Sequence, residues 1–560
     1  MTSIASSSSQ PAANLPDKSK VTVIREGAAE IFGTSGTAFY NPAQEFNRDL
    51  KRLCRARKRV PHQNAAGSAA AESCPSDGGA NSERGNDKCW LVGVILSGLR
   101  SLDALSASGL RAIRFAKEID HIDSIVANDF SDQAVEMIKL NVEHNKVERL
   151  VQTSMADANE VMFSVRKFGR QFHAIDLDPL ASRDILDCAV QAVEDDCILM
   201  VTCTDVATIC GAHMPEACYA RYNSIPVRGG YCHEMGLRIV LQSIDSHANR
   251  YNRYIEPLLS ISVDFYIQAV GTTANGQAKA KDNICQRSFV FVCVSCESFV
   301  LQPMVQKDQK DTSVRFMQAR APTVSQRCEN CNSTFRLAGP IWSGPLHDRA
   351  FVGDLLKSLE NTGELDRFTT HDRLVGMLTL VMEELPDVPL FYDLPRICKA
   401  CRAPTPKQHD VISAILNAGY RCSVSHTNQH AIKTDAPPTF VWDVIRKSTA
   451  VLKEFDVSKL DQQHASYHIL SKEISSTIDF TSHRDAISES RKRGLLRFAQ
   501  LEKGRRFGPK ARNKGSVNST QAGMFNRDLG AEMHNGNSKR QKDDSNCSDM
   551  KRVKIDGKSE

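Results

Sequence analysis

GLRSLDALSASGLRAIR (residues 98–114) sets the architecture of this chain. A short apolar strand runs out at Asp103 into a turn of small residues, and RAIRFAKEI then resumes with helical periodicity. Small side chains at a strand–helix turn let the backbone approach a ligand closely. The turn lacks the G-x-G-x-x-G spacing of a dinucleotide site, so it does not name its ligand unaided.

Outward from this stretch, strands and helices alternate. DSIVANDF (123–130) is a second strand ending at Asp129. SDQAVEMIKLNVEHNK (131–146) is an amphipathic helix with Ser131 placed to cap it. QTSMADANEVM (152–162) supplies a short strand and a turn, and FHAIDLDPL (172–180) a strand ending in acids. DILDCAVQAVEDD (184–196) reads as a helix and CILMVTCTD (197–205) as a continuously apolar, buried strand. Such alternation predicts a doubly wound, Rossmann-like α/β sheet with its ligands at the carboxyl ends of the strands. Those ends carry Asp103, Asp129 and Asp157 in strand order. A carboxylate about twenty-five residues after the first strand end can take both ribose hydroxyls of a nucleoside. Asp157, followed by Ala158, is placed to accept from an adenine amino group. Singly, each acid reads as a strand-end or cap residue; together they predict a nucleoside pocket.

Asp178-Pro179 closes the next strand. Proline holds the preceding residue extended and forces a sharp exit, which aims Asp178 into the cleft. A carboxylate there can accept an N–H of an exocyclic amine, localise its lone pair and take its proton. Such an Asp-Pro turn is similar to the Asp/Asn-Pro turn of amino methyltransferases, which holds the target amine close to a sulfonium methyl, where in-line positioning supplies most of the rate. The competing reading is a structural turn aspartate.

Two Cys-x-x-Cys pairs follow, Cys293/Cys296 in VCVSCESF and Cys328/Cys331 in RCENCNSTF. Each pair places two thiolates on one turn, and two such turns close a tetrahedral all-sulfur site suited to Zn²⁺. Four buried cysteines serving as small hydrophobes are the alternative. Cys398/Cys401 is a lone pair, read as structural. His233-Glu234 lacks the second histidine of a zincin helix and is read the same way.

The chain has 560 residues, 41% hydrophobic and 24% charged, as expected of a globular protein with two or more packed domains. No apolar run is long enough to cross a membrane, and the first twenty residues lack the apolar core of a secretory signal. Eighteen cysteines without such a signal predict a reducing compartment. Residues 491–560 hold 18 Lys and Arg against 8 Asp and Glu, so the net charge of +5 lies in the tail and the remainder is net acidic. Such a tail is an electrostatic tether for an anionic polymer or a solvated segment. Lys539-Arg540 and Lys551-Arg552 with Lys554 are spaced like a bipartite nuclear import signal. A mitochondrial transit reading of the Ser-rich N-terminus is weakened by the absence of arginine before Arg25. The expected organisation is a disordered segment 1–20, a catalytic domain 21–288 with a flexible insertion 55–88, a second domain 289–488 and a disordered basic tail 489–560.

These segments together resemble the tRNA (guanine-26-N2)-dimethyltransferase family. The resemblance is carried by FYNPAQEFNRDL (39–50), GLRSLDALSASGLRAIR (98–114), ANDFS (127–131), ADANEVM (156–162), CTDVATICG (203–211), YCHEMGLRIVL (231–241) and AIKTDAPPTFVWDVIR (431–446), in order along the chain. It implies a class I methyltransferase fold joined to a family-specific α+β C-terminal domain carrying a four-cysteine metal site. S-adenosylmethionine as cofactor, tRNA as substrate and double methylation of N2 of guanine 26 are implied with it. The implied cofactor residues are Arg48, Arg111, Asp129, Asp157 and Ala158, with Arg114 competing for the role of Arg111. Asp178 is the implied catalytic residue, Cys293, Cys296, Cys328 and Cys331 are the implied zinc ligands, and the nucleus is the expected location. No protein partner and no membrane are called for. One departure stands out: the family's catalytic turn reads Asp-Pro-aromatic-Gly, and here it reads Asp178-Pro179-Leu180-Ala181. Leucine cannot stack on a base as an aromatic ring does. A tRNA-binding relative of low activity is therefore the second expectation.

Overall fold

The structure is a computed structural model that describes residues 21–34, 40–57, 98–167, 169–178, 184–211, 214–310, 313–363, 367–452 and 460–499. An antiparallel hairpin, β1 (Val21–Glu26) and β2 (Ala29–Thr34), leads to helix α1 (Glu45–Arg57). Next come β3 (Leu99–Asp103), α2 (Leu110–Glu118), β4 (Ile122–Asp129), α3 (Asp132–Asn145), β5 (Val151–Met155), α4 (Ala158–Ser164), β6 (Phe172–Leu177), α5 (Asp184–Ala192) and β7 (Val193–Cys203). Short helices α6 (Val206–Ile209) and α7 (Pro215–Tyr222) precede the long α8 (Cys232–Asn249) and the antiparallel pair β8 (Arg253–Val263) and β9 (Tyr266–Asn275). One seven-stranded sheet results, in the order β5-β4-β3-β6-β7-β9-β8. The first five strands are parallel, and β9 pairs antiparallel with β7. Crossovers of this kind bring the carboxyl ends of β3, β4, β5 and β6 to one edge.

Local chemistry explains the boundaries. The Ser131 hydroxyl accepts from the Ala134 N–H at the start of α3, as the sequence predicts. Asp157 caps α4 through the Asn159 N–H at 2.7 Å, so the segment read as a turn is helical. VEDD (193–196), read as the end of a helix, instead opens β7, where Val193 pairs with Phe172. Helix α1 runs through Arg57 with Arg55 buried, which removes residues 55–57 from the expected insertion; the rest of that segment lies outside the described residues.

The C-terminal half adds α9 (Gln277–Asn283), β10 (Arg287–Cys293), β11 (Phe299–Pro303), the ribbon β12 (Val305–Lys310) and β13 (Ser313–Gln318), and β14 (Phe335–Trp342). It continues through α10 (Arg349–Glu360), α11 (His371–Glu383), β15 (Tyr392–Asp393), α12 (Leu394–Ala400), α13 (Gln408–Asn417), β16 (Cys422–Ser425), β17 (Asn428–Thr434), α14 (Pro438–Leu452), α15 (Ala465–Leu470) and α16 (Glu489–Lys492). The cores are shared along the chain. Val290, Val292, Ile341 and Trp342 pack into the cluster that covers one face of the main sheet, and Val352, Leu355, Leu374 and Leu378 into the cluster on the other. The expected boundary at 288/289 thus falls inside β10. The start of the expected tail is also packed. Ser490 is buried against Glu383, and the Leu496 carbonyl lies where a side chain at Gly376 would stand.

Candidate active site

The carboxyl edge of the sheet is stitched by side chains. Asn128 donates to the carbonyls of Ala104 and Ala156, each at 3.1 Å, and so joins the loops after β3, β4 and β5. Within the first loop Ala107 and Gly109 both take left-handed backbone, φ +52° and +77°. The Ala107 N–H donates to Asp129 Oδ2 at 2.9 Å, and Asp129 Oδ1 accepts from the Ser131 N–H. Each Asp129 oxygen therefore carries one backbone donor and keeps a lone pair for another. Phe130 and Met155 stand half-exposed beside Asp129 and Asp157, apolar groups at the same strand ends. Ala158 is buried and Asp157 exposed. A turned-in backbone, an acid at the next strand end and flanking apolar faces suit an adenosyl group.

Asp178 emerges directly after β6 at the centre of this edge. Its Oδ2 accepts from Arg111 Nη1 at 2.5 Å, Lys51 Nζ at 2.8 Å and Asn47 Nδ2 at 2.8 Å. Lys51 also donates to Asp176 Oδ1 at 2.6 Å and is wholly buried. Arg111 reaches Asp103 at 3.2 Å and Asp176 at 3.3 Å as well. Burial alone would push the Asp178 carboxyl up, but Lys51 and then Arg111 outweigh it and hold the group below its ordinary value. For Asp176 burial prevails, and its carboxyl sits above its ordinary value. The neighbouring acids are thus held apart, Asp178 below its ordinary value at the cleft and Asp176 above its own behind it.

The other predicted cofactor arginine, Arg48, forks onto Glu26 at 2.6 and 2.5 Å, donates to the Asn41 carbonyl and lies 5.3 Å over the Tyr40 ring. Arg114 is engaged by Glu26, Asp49 and Glu118 at 2.8, 2.7 and 3.0 Å, which ties the hairpin and α1 to α2. Sequence reasoning did not single out Asn47, Lys51 or Asp176. Asn47 and Lys51 are four apart on α1 and share a face, a spacing that would have paired them. Pro179, Leu180 and Ala181 lie outside the described residues, as do residues 1–20 and the basic tail beyond 499.

The four predicted metal cysteines converge. All are buried, with their Sγ atoms within 4.8 Å of one another; Cys296 and Cys328 are 3.7 Å apart, Cys293 and Cys331 3.2 Å. Tetrahedral Zn–S bonds of about 2.3 Å separate sulfurs by about 3.8 Å, so the donor set fits such an ion. The two turns repeat one geometry. Cys293 and Cys328 each donate an N–H at 2.8 Å to the carbonyl of a serine five residues on, Ser298 and Ser333. Glu297 and Asn332, which follow the second cysteines, both take left-handed backbone. Contacts among the four thiols draw Cys328 and Cys331 down and push Cys293 and Cys296 up, so the cluster shares its protons unevenly. A second grouping, His347, Glu384 and His426, is filled by its own ion pairs. Lys433 Nζ lies 2.7 Å from Glu384 Oε1 and His426 Nδ1 2.7 Å from Glu384 Oε2. The lysine supplies the positive charge that an ion would bring. Glu234 is buried against Arg238 and Lys433, in keeping with its structural reading.

Comparison with known proteins identifies relatives over most of the chain. A protein of Caenorhabditis elegans named tRNA (guanine(26)-N(2))-dimethyltransferase is 43% identical, covering 94% of this chain and 99% of its own length. A Mus musculus protein of the same name is 40% identical, covering 89% and 78%. Among solved structures, Trm1 from Pyrococcus horikoshii in complex with S-adenosyl-L-methionine is similar over 76% of this chain and 99% of that one, with TM-score 0.59 and 28% identity. The model of one family, described as N2,N2-dimethylguanosine tRNA methyltransferase, matches residues 16–446, a span that includes the hairpin, the strand-end acids, Asp178 and the four cysteines. This chain belongs to the N2,N2-dimethylguanosine tRNA methyltransferase family.

Proposed function

We propose that this chain is an S-adenosylmethionine-dependent tRNA (guanine-26-N2)-dimethyltransferase that places two methyl groups on the exocyclic amine of guanine 26. The observation that carries the reading is Asp178, a charged carboxylate at the carboxyl edge of the sheet beside a loop and acids suited to an adenosyl cofactor. When bound, the cofactor supplies an electrophilic methyl on a sulfonium, whose sulfur departs as a neutral thioether as the amine nitrogen attacks.

The chain's own residues do the rest. Asp129 receives the ribose hydroxyls, Asp157 and the Ala158 backbone the adenine edge, and Phe130 with Met155 the faces of the base. Arg48 and Arg111 are the groups for the methionine carboxylate. Asp178 accepts an N–H of the guanine amine, which localises the lone pair, and takes the proton released as the new C–N bond forms. It returns that proton to solvent before the second transfer. A guanine amine paired within folded tRNA must first be turned out of its stack. The four cysteines hold Zn²⁺ and fix the two turns of the C-terminal half. The clustered basic pairs of the tail direct the protein to the nucleus.

Transfer of labelled methyl to unmodified tRNA, with nucleoside analysis of the product, tests the reading. N2-dimethylguanosine should form and vanish with Asp178→Ala, a loss of about 10²–10⁴-fold for a proton acceptor. Retained tRNA binding without any product would instead favour a binding protein, and would make Leu180→Phe with Ala181→Gly the next variant to examine.

A further inference from the structure

We propose that Lys51 is a positioning residue for amine methylation: its buried ammonium bridges Asp176 and Asp178, keeps the Asp178 carboxylate charged and leaves one carboxylate oxygen for the substrate amine. The proposal rests on the reading of Asp178 as proton acceptor.

Three donors, from Asn47, Lys51 and Arg111, converge on Asp178 Oδ2. Among the described residues none is directed at Oδ1. This asymmetry holds the carboxylate from rotating freely between its two acceptors. The same three contacts set its charge. Asp176 and Asp178 both lie within hydrogen-bond reach of one ammonium, and two carboxylates so placed share a proton unless a cation stands between them. A protonated Asp178 would donate to the amine rather than accept from it.

Arg111 cannot substitute for Lys51 throughout turnover. It is the arginine proposed for the cofactor carboxylate, and it faces three acids at once. Lys51 has no exposed surface and, among the described residues, pairs only with Asp176 and Asp178, so it is the cation that stays beside both acids. The buried Arg55 on the same helix donates to Ser101 and feels Asp176 and Asp103 but not Asp178. The remaining groups around Asp178 do not replace it. Arg48, on the same helix, pairs with Glu26 rather than with Asp178 and is one of the arginines proposed for the cofactor carboxylate. Tyr266 on β9 and Cys203 on β7 are pushed up by burial and remain neutral in the working range.

The test is the pH profile of kcat for full-length protein with unmodified tRNA and saturating S-adenosylmethionine. Lys51→Gln keeps a hydrogen-bond donor but removes the charge. Its acid limb should move up by about one pH unit or more, so kcat on the acid side falls about tenfold relative to the alkaline plateau. KM for the cofactor should stay within about twofold, and Lys51→Arg should return the limb toward the wild-type position. Asp176→Asn removes the competing carboxylate and should move the limb down; it decides alone if Lys51→Gln fails to fold. An unmoved limb in either folded variant, or a loss equal at every pH, would overturn the role. If the wild-type protein forms no N2-dimethylguanosine, the reading of Asp178 fails first and the two failures are told apart.

Discussion

At the scale of single residues, the cofactor edge is built from backbone as much as from side chains. Ala107 and Gly109 both sit at positive φ in the loop after β3, but their circumstances differ. A Cβ added at Gly109 would meet Ile138 Cγ2 at 3.3 Å, so Gly109→Ala combines left-handed strain with a tight contact. It should cost about 1–2 kcal/mol and raise KM for the cofactor, because the loop must shift. Ala107→Gly removes the strain without removing the N–H that Asp129 accepts and should be neutral or stabilising. Thermal unfolding of the two variants checks the opposite signs; equal losses would show that the loop does not depend on this geometry. Asp129 and Asp178 could be read in the sequence because each ends an apolar strand, and strand ends are positions that alternation alone locates. Lys51 could not be found that way. Its role depends on which face of α1 meets the sheet edge, and that follows from tertiary packing.

At the scale of elements, the two cysteine turns behave as one unit that reaches well beyond its ligands. Cys296 Sγ lies 3.2 Å from Ser298 Oγ, which accepts from the Trp442 indole at 2.9 Å, so the site is packed directly against α14. Trp442 is wholly buried in the cluster that also contains the four cysteines. Chelation should therefore lower Tm by several degrees and loosen α12 and α14 in hydrogen exchange, with recovery on adding Zn²⁺ but not Mg²⁺. Metal analysis should give about one zinc per chain. A preparation free of metal and indifferent to chelator would return the cysteines to the role of small hydrophobes. The pair spacing exposed this unit in the sequence, since each turn is local. The elements misread were those whose state is set by neighbours. VEDD became strand because β6 offers it a partner, and 55–57 stayed helical because Arg55 is buried with its guanidinium over the Phe115 ring.

At the scale of the whole molecule, the two halves of the chain share cores, and a buried ion network lies between them. His347 accepts the Ser260 N–H from β8 at 3.3 Å and packs on His426, with Glu384, Lys433 and Arg238 close by. Burial pushes His347 well below the ordinary histidine value. The unfolded chain then binds a proton below about pH 6.5 that the native protein refuses, and stability is lost as pH falls through that range. Burial alone would raise Glu384, but Lys433 and then His426 hold it well below its ordinary value. Its contribution is present above the unfolded carboxyl value and goes only as pH falls through the lower folded one. Tm should decline from about pH 7.5 to about pH 5.5, and His347→Asn should flatten the slope. An unchanged slope would place the titration elsewhere. Composition and motif order made the fold class and the family legible, whereas the shared cores were not, because hydrophobic periodicity marks a buried face without naming what covers it.

The central claim is that this edge of the sheet methylates one exocyclic amine twice. It is tested most directly with two otherwise identical unmodified tRNAs, one carrying guanine and the other inosine, which lacks the 2-amino group, at position 26. The account predicts two labelled methyl groups on the guanine tRNA, recovered as N2-dimethylguanosine, and none on the inosine tRNA. Label appearing equally on both would contradict it.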